Sequence, residues 1–391
     1  MSKRLGLVGV ILLMIAMGIW VALTRHSSYS VAGGNGTKIP EPEAQVQLAD
    51  TPRKPVAPSD PWTRPSATVV ARNLRRVRFA LLRGFGASEK MVNRLTDGDI
   101  LDVIQELKQQ AQRGDAAAAN VLEYMAYSTC GFAGVNGEGS SSQAQQLLDA
   151  RTLSVQDSEW IRTAIQEKNT NDKPMVAACQ QAIDKKEIEA WVTSAADQGN
   201  GASRWLLSRY SSSGSSAFKE QKLMDAADAG YPEAQAFLAQ GLMNGTAHLP
   251  APIADDDAGN LLKVAADSLP HAESLLAVCE FKGCPGIETD IPSAVAHARE
   301  AAQQGSFDAV FQIGPQLQTS LMDPDEVTAW NLVGAMLSQQ GCSYGGLAVQ
   351  SMASAASALT ANSVSDKAKA LANQYWQQFG AQMMANIGCG Y

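Results

Sequence analysis

The chain has 391 residues, of which 45% are hydrophobic and only 6% aromatic, and carries a formal net charge of −8. That charge is unevenly placed: residues 1–94 hold 14 Lys+Arg against 5 Asp+Glu, a balance of +9, while residues 95–391 hold 17 against 34, a balance of −17. So acidic a body repels phosphate backbones, which argues against nucleic-acid binding. Abundant Ala and scarce β-branched alternation argue against a sheet protein and for helices.

Leu5 to Leu23 is a run of 19 uncharged, mainly apolar residues behind Lys3 and Arg4. At the helical rise it spans roughly 28 Å, the thickness of a bilayer's hydrocarbon core. Residues 1–25 are therefore expected to form a cytoplasmic tip and an uncleaved transmembrane signal-anchor. The basic flank stays inside and everything after Arg25 is exported. The rival reading is a cleaved signal peptide, whose apolar region is usually shorter.

Residues 26–66 are rich in Pro, Gly, Ser and Thr, with Pro40, Pro42, Pro52, Pro55, Pro58, Pro61 and Pro65. Such a composition cannot bury enough apolar surface to offset its ordering entropy, so a disordered tether is expected. Residues 67–97 form a basic helical segment. Arg72, Arg75, Arg76, Arg78 and Arg83 lie among Val70, Leu74, Val77, Leu81 and Leu82 at helical steps, and 67–86 contains no acid. The pattern fits a helix that meets a membrane surface or a partner. It fits equally a first helix packed on the acidic body, its arginines solvated or paired there, and this is the reading we expect.

From residue 98 the sequence repeats. Ala195-Ala196-Asp197-Gln198-Gly199 is followed by Ala202, Trp205, Leu206 and Tyr210; Ala226-Ala227-Asp228-Ala229-Gly230 by Ala234, Phe237, Leu238 and Gly241. Ala265-Ala266-Asp267-Ser268-Leu269 and Ala301-Ala302-Gln303-Gln304-Gly305 continue the series, at Ala-Ala steps of 31, 39 and 36 residues. An earlier copy, Gln110-Ala111-Gln112-Arg113-Gly114, lies 85 residues before Gly199, room for about two periods. Small residues at a helix end let two backbones approach, and the following Gly permits the left-handed turn that reverses the chain. One such hairpin cannot hide its own apolar face; stacked hairpins can. Residues 326–391, with Val327, Trp330, Leu332, Val333, Met336, Leu359, Ala368, Leu371, Tyr375, Trp376 and Phe379 at helical steps, read as a divergent C-terminal helical cap.

These copies resemble the Sel-like repeat family, short helical repeats related to tetratricopeptide repeats. The fullest match runs from Gly286-Ile287-Glu288-Thr289-Asp290-Ile291-Pro292-Ser293-Ala294 through His297 to Ala301-Ala302-Gln303-Gln304-Gly305, close to the family's G-[VI]-x-x-D-x-x-x-A…A-A-x-x-G block. The resemblance covers roughly 98–315, within a repeat region assigned to 98–325. Leu269 replaces the turn glycine in one copy, and 131–190 fits poorly. It implies an all-α superhelical solenoid of antiparallel helix pairs and a role in assembling other proteins.

Six cysteines, Cys130, Cys179, Cys279, Cys284, Cys342 and Cys389, all lie in the exported body, as suits an oxidising compartment. Sequence leaves their pairing open; the expected order is sequential, Cys130–Cys179, Cys279–Cys284 and Cys342–Cys389. Cysteine-rich relatives in the family bridge helices within a repeat, at a wider spacing than is found here. Buried thiols are the alternative, and zinc is a poorer one with no C-x-x-C pair and four histidines, His26, His248, His271 and His297.

No reaction centre emerges. Ser216-Ala217-Phe218-Lys219 has the S-x-x-K spacing of penicillin-interacting serine enzymes, but lacks companion motifs and follows a Ser/Gly-rich loop, so Ser216 reads as a helix N-cap. Asp255-Asp256-Asp257 reads as a helix-start acid cluster, and Asn35-Gly36-Thr37 and Asn244-Gly245-Thr246 as turns. No metal or small-molecule cofactor is expected. The expected function is an adaptor or scaffold, anchored in a bacterial inner membrane with its body in the periplasm, that grips an unknown protein or peptide. A periplasmic protein released by signal cleavage is the alternative placement. The alternative functions are a cell-wall or β-lactam hydrolase and a structural protein that binds membrane or peptidoglycan.

Overall fold

The computed structural model describes residues 60–131, 153–211, 214–244, 255–306, 309–310, 322–343, 348–359 and 364–389. The expected anchor and residues 26–59 of the expected tether lie outside them. Among the described residues no helix is long and apolar enough to cross a membrane.

The described residues form fifteen α-helices. They are α1 (Ala67–Ala80), α2 (Glu89–Asp97), α3 (Ile100–Gln112), α4 (Ala116–Met125), α5 (Val155–Ala182), α6 (Lys185–Asp197), α7 (Gly201–Tyr210), α8 (Ser216–Asp228), α9 (Pro232–Met243), α10 (Asp255–Ala266), α11 (Pro270–Lys282), α12 (Ile291–Gln303), α13 (Pro324–Gln339), α14 (Ala348–Leu359) and α15 (Asp366–Ile387). From α6 to α12 each helix packs on the next, the nearest-neighbour pattern of a stacked array.

The corners of the array follow from the repeated residues. At the end of α6, Gly199 N–H donates to Ala196 O (3.0 Å) and Asn200 N–H to Ala195 O (3.1 Å). At α8 the same two bonds fall on Ala227 O and Ala226 O, and at α12 on Ala302 O and Ala301 O. The paired alanines thus supply both the carbonyls that the turn consumes and the small, buried surface on which the next helix lies. Gly114, Gly199, Gly230 and Gly305 take φ values of 90°, 98°, 78° and 85°, which side-chain-bearing residues rarely adopt. The copy without glycine turns differently. Ala265 O accepts from both Ser268 (3.1 Å) and Leu269 (2.9 Å), Leu269 stays extended at φ −125°, and Pro270 starts α11.

The 85 residues between Gly114 and Gly199 hold no extra stacked pair among the described residues. Helix α4 packs directly on α6, and the 28-residue α5 leaves the stack to lie along α1, α3 and α14.

Helix α1 sits inside the array rather than at its end, and three core clusters meet on it. Val70 and Leu74 join Ile161, Ala164 and Met352; Val77 joins Trp330, Val333 and Trp376; Phe79, Ala80 and Leu82 join Val92, Ile104 and Leu122. Each large apolar side chain buried there contributes about 1.5–3 kcal/mol. The C-terminal helices, expected only to cap the stack, also reach this helix. Asn73 Nδ2 donates to Gln340 O (2.7 Å) at the end of α13, and the Arg83 guanidinium to Ala385 O (3.1 Å) and Asn386 O (3.2 Å) at the end of α15. Midway along the stack, Tyr231 Oη donates to Gly84 O (3.2 Å) in the turn that follows α1.

Ordered structure begins earlier than the composition of 26–66 suggests. Trp62 Nε1 donates to Asn373 Oδ1 (2.5 Å), Trp160 Nε1 to Pro65 O (2.9 Å), and Arg64 pairs with Asp157. Residues 26–66 offer little apolar surface to bury, but two indole anchors hold residues 60–66 against α5 and α15.

Candidate functional site

The second helices of three successive pairs bring aromatic side chains together. On α4, Tyr124 stacks on Phe85 with centroids 4.6 Å apart, and it meets Tyr210 of α7 edge-on at 6.1 Å. Tyr127, just past α4, lies 3.9 Å from the same Tyr210 ring. Five residues back on α7, Trp205 contacts Tyr231 (6.4 Å) and Phe237 of α9 (5.5 Å), and the Arg209 guanidinium lies over Phe237 at 4.3 Å. Tyr127 is 46% exposed and Phe237 38% exposed, and Arg209 is exposed beside them. The sequence pattern assigned Trp205, Tyr210 and Phe237 to helix–helix packing. The structure gives them that contact and, beside Tyr127, Arg209 and Phe237, an open edge as well.

Carboxylates border this strip. Glu123, buried on α4, has its pKa pushed up to about 7, first by burial and then by the charge of Glu189 on α6, with Lys185 partly offsetting. Glu189 is held by Ser211 Oγ, which donates to it at 2.6 Å. Burial also raises Glu233, beside Tyr231.

A carboxyl whose folded pKa lies above its unfolded value binds more protons in the folded state. Its ionisation therefore lowers stability as pH rises from about 4.5 to 7, with no further change above. Glu123→Gln removes that penalty. Urea unfolding should show the variant more stable than the parent at pH 8, by up to about 3 kcal/mol, with little difference at pH 4.5. A parent protein equally stable at both pH values relative to the variant would contradict this.

The five arginines of the basic segment are all engaged by groups of the chain, Arg76 fully buried and Arg72 at the surface. Arg76 is fully buried and bonds Asn93 and Glu89 of α2; Arg75 Nη1 donates to Thr96 O (2.9 Å); Arg72 pairs with Asp97 (3.1 Å). Arg83 covers the last carbonyls of α15, where the helix dipole favours a cation. Arg75 and Arg78 face Asp172 of α5 at 3.6 and 3.3 Å.

The cysteines form three disulfides in sequential order, Cys130–Cys179, Cys279–Cys284 and Cys342–Cys389, with Cα–Cα distances of 5.6, 5.1 and 5.6 Å. The first joins the end of α4 to α5, and the second the end of α11 to the turn before α12. The third joins the corner after α13 to the end of α15. Both corners of the third carry the dipeptide Gly-Cys, Gly341-Cys342 and Gly388-Cys389, and both press on α1. A Cβ at Gly341 would lie 2.7 Å from Val70 O, and one at Gly388 would fall inside contact distance of the Ala80 Cβ.

The serine motifs do not build a reaction centre. The N-cap expected at Ser216 lies one residue earlier. Ser215 has the extended backbone of a cap and its hydroxyl accepts from Phe218 N–H at 3.2 Å, leaving Ser216 as an exposed first helical residue. Glu280, Ser293 and His297 do meet, with His297 Nδ1 2.8 Å from Glu280 Oε2 and 3.4 Å from Ser293 Oγ. A hydrolytic triad needs acid and nucleophile on opposite ring nitrogens; here both use Nδ1, so the trio ties α11 to α12. Among the described residues no group of three or more metal-ligating side chains comes together.

No protein-family model matches the sequence, and no curated protein matches it. Solved structures do. The antigen c5321, described as a protective antigen present in uropathogenic Escherichia coli strains displaying an SLR fold, matches at 17% identity with a TM-score of 0.40. That match covers 76% of this chain and 66% of the antigen. A Sel1 repeat protein from Oxalobacter formigenes matches at 16% identity and a TM-score of 0.36, covering 77% of this chain and 93% of the other. The chain is similar to Sel-like repeat proteins. Overlays of that depth carry no further weight; the Ala-Ala-x-x-Gly corners and the stacked helix pairs of this chain are what establish its architecture.

Proposed function

We propose that this chain is an extracytoplasmic scaffold of the bacterial envelope, anchored through residues 5–23, that binds a basic segment of a protein partner along the aromatic strip. The observation that carries the reading is the open edge formed by Tyr127, Tyr210, Trp205, Arg209 and Phe237. Tyr, Trp and Arg dominate the energetics of protein interfaces because each offers a large rigid surface with a polar tip. The bordering Glu189, within a body of charge −17, favours a cationic occupant. Three disulfides support an oxidising compartment.

A photoreactive phenylalanine analogue at Tyr127 or Phe237, in the full chain in intact cells, is expected to give one discrete protein adduct. The adduct should be lost when Arg209→Ala and Trp205→Ala are added. Adducts only with a second copy of the chain, or the same adducts from a probe at the highly exposed Val155, would overturn the reading.

A further inference from the structure

Helices α1 and α5 enclose an excess of positive charge. Arg75, Arg78 and Lys168 converge on the single carboxylate of Asp172, at 3.6, 3.3 and 2.8 Å. All four side chains are largely covered, with 12, 22, 16 and 9% of their surface exposed. Lys168 Nζ takes one carboxylate oxygen as a true hydrogen bond. Arg75 Nη1 is spent on Thr96 O; Arg75 Nε and Arg78 Nη1 reach Asp172 as ion pairs without a hydrogen bond, and Asp172 Oδ1 likewise accepts none. Buried donors are almost always satisfied, because each orphan forfeits its hydration. Three cations against one anion leave a surplus of +2 in a poorly hydrated place.

We infer that this cluster is a binding site for a tetrahedral oxyanion of the phosphate class, held by Arg75 Nε, Arg78 Nη1 and Lys168 Nζ. A dianion would cancel the surplus and supply an acceptor to one buried donor on each guanidinium, as charge-assisted hydrogen bonds. Burial first, and then repulsion among the cations, lowers the Arg75 and Lys168 pKa values, with Asp172 partly offsetting; an added anion would oppose the repulsion. Asp172 acts as a partial internal counter-ion that positions Lys168 and competes with the ligand. The site is independent of the aromatic strip, so it stands or falls apart from the partner-binding reading.

Inorganic phosphate is titrated into the full chain in phosphate-free buffer, with binding followed by calorimetry and by the rise in Tm expected when a ligand binds only the folded state. One equivalent should bind. Arg78→Gln and Lys168→Gln should each weaken binding at least tenfold, while Arg94→Gln leaves it unchanged. Asp172→Asn should strengthen it several-fold, a direction that loss of structure cannot produce. Sedimentation with phosphatidylglycerol vesicles separates the sources of the phosphate. Vesicle binding that needs Arg78 and Lys168, without binding of the free anion, assigns the site to a lipid headgroup; binding of the free anion assigns it to a soluble phosphate. Neither ligand binding, or binding indifferent to both substitutions, overturns the inference. If Arg78→Gln fails to fold, Lys168→Gln, Asp172→Asn and the unsubstituted chain decide it.

Discussion

Gly388→Ala is expected to destabilise the protein by about 2–5 kcal/mol, a large loss for one added methyl group. The residue stands at φ 91°, where a Cβ costs about 1–2 kcal/mol, and the new Cβ would drive into Ala80 of α1 and crowd Arg83 Nη2. Overpacking of that kind adds about 1–3 kcal/mol more. The two parts separate in a double-mutant cycle. Introduced into an Ala80→Gly background, Gly388→Ala should cost markedly less, the backbone part and any crowding of the flexible Arg83 side chain, because the clashing methyl is gone. Urea unfolding of the four proteins measures this as a shift in midpoint. An equal cost in both backgrounds would mean that α15 does not end against α1.

Removing the Cys342–Cys389 bridge by a double Cys→Ser substitution is expected to cost roughly 4 kcal/mol, from the closure entropy of its 47-residue separation. The Cys279–Cys284 bridge, with a separation of five, should give only about 2 kcal/mol by the same reasoning. The bridge also fixes Gly341 and Gly388 relative to each other, so its loss should loosen the two corners against which Val70 and Ala80 lie. Hydrogen exchange at α1 should therefore rise in this variant and stay unchanged when Cys279–Cys284 is removed. If the two variants lose equal stability, the large loop is not what the bridge restrains.

What could be read from sequence was local. An Ala-Ala-x-x-Gly corner is specified within six residues, since its carbonyls and its left-handed glycine lie in one turn, and those corners stand where the spacing put them. Ring contacts and ion pairs between distant segments leave no such trace. An amphipathic helix with five arginines looks the same whether it faces lipid, a partner or its own chain; Arg76 is buried because Glu89 and Asn93 fold back over it. The length of α5 was equally hidden. Pro174 stands within the helix, where a proline ordinarily argues for a break, and 131–190 carries no repeat to suggest a helix outside the stack. Of the aromatic strip, Trp205, Tyr210 and Phe237 stand out in the repeats, but helical periodicity does not say which neighbour is missing, and Tyr127 and Arg209 carry no such signal. Gly-Cys occurs at the ends of α11, α13 and α15, and only the last two corners press on α1, so the dipeptide alone does not pick them out.

The account turns on α1 being packed between the repeat helices and the C-terminal helices, with core residues in three clusters. Native-state hydrogen exchange resolves this directly at the amides of residues 70–82. The predicted result is protection close to that of global unfolding, matching the cores of α4 and α13. Exchange in α1 as fast as in a solvated surface helix, with α13 and α15 still protected, would contradict it.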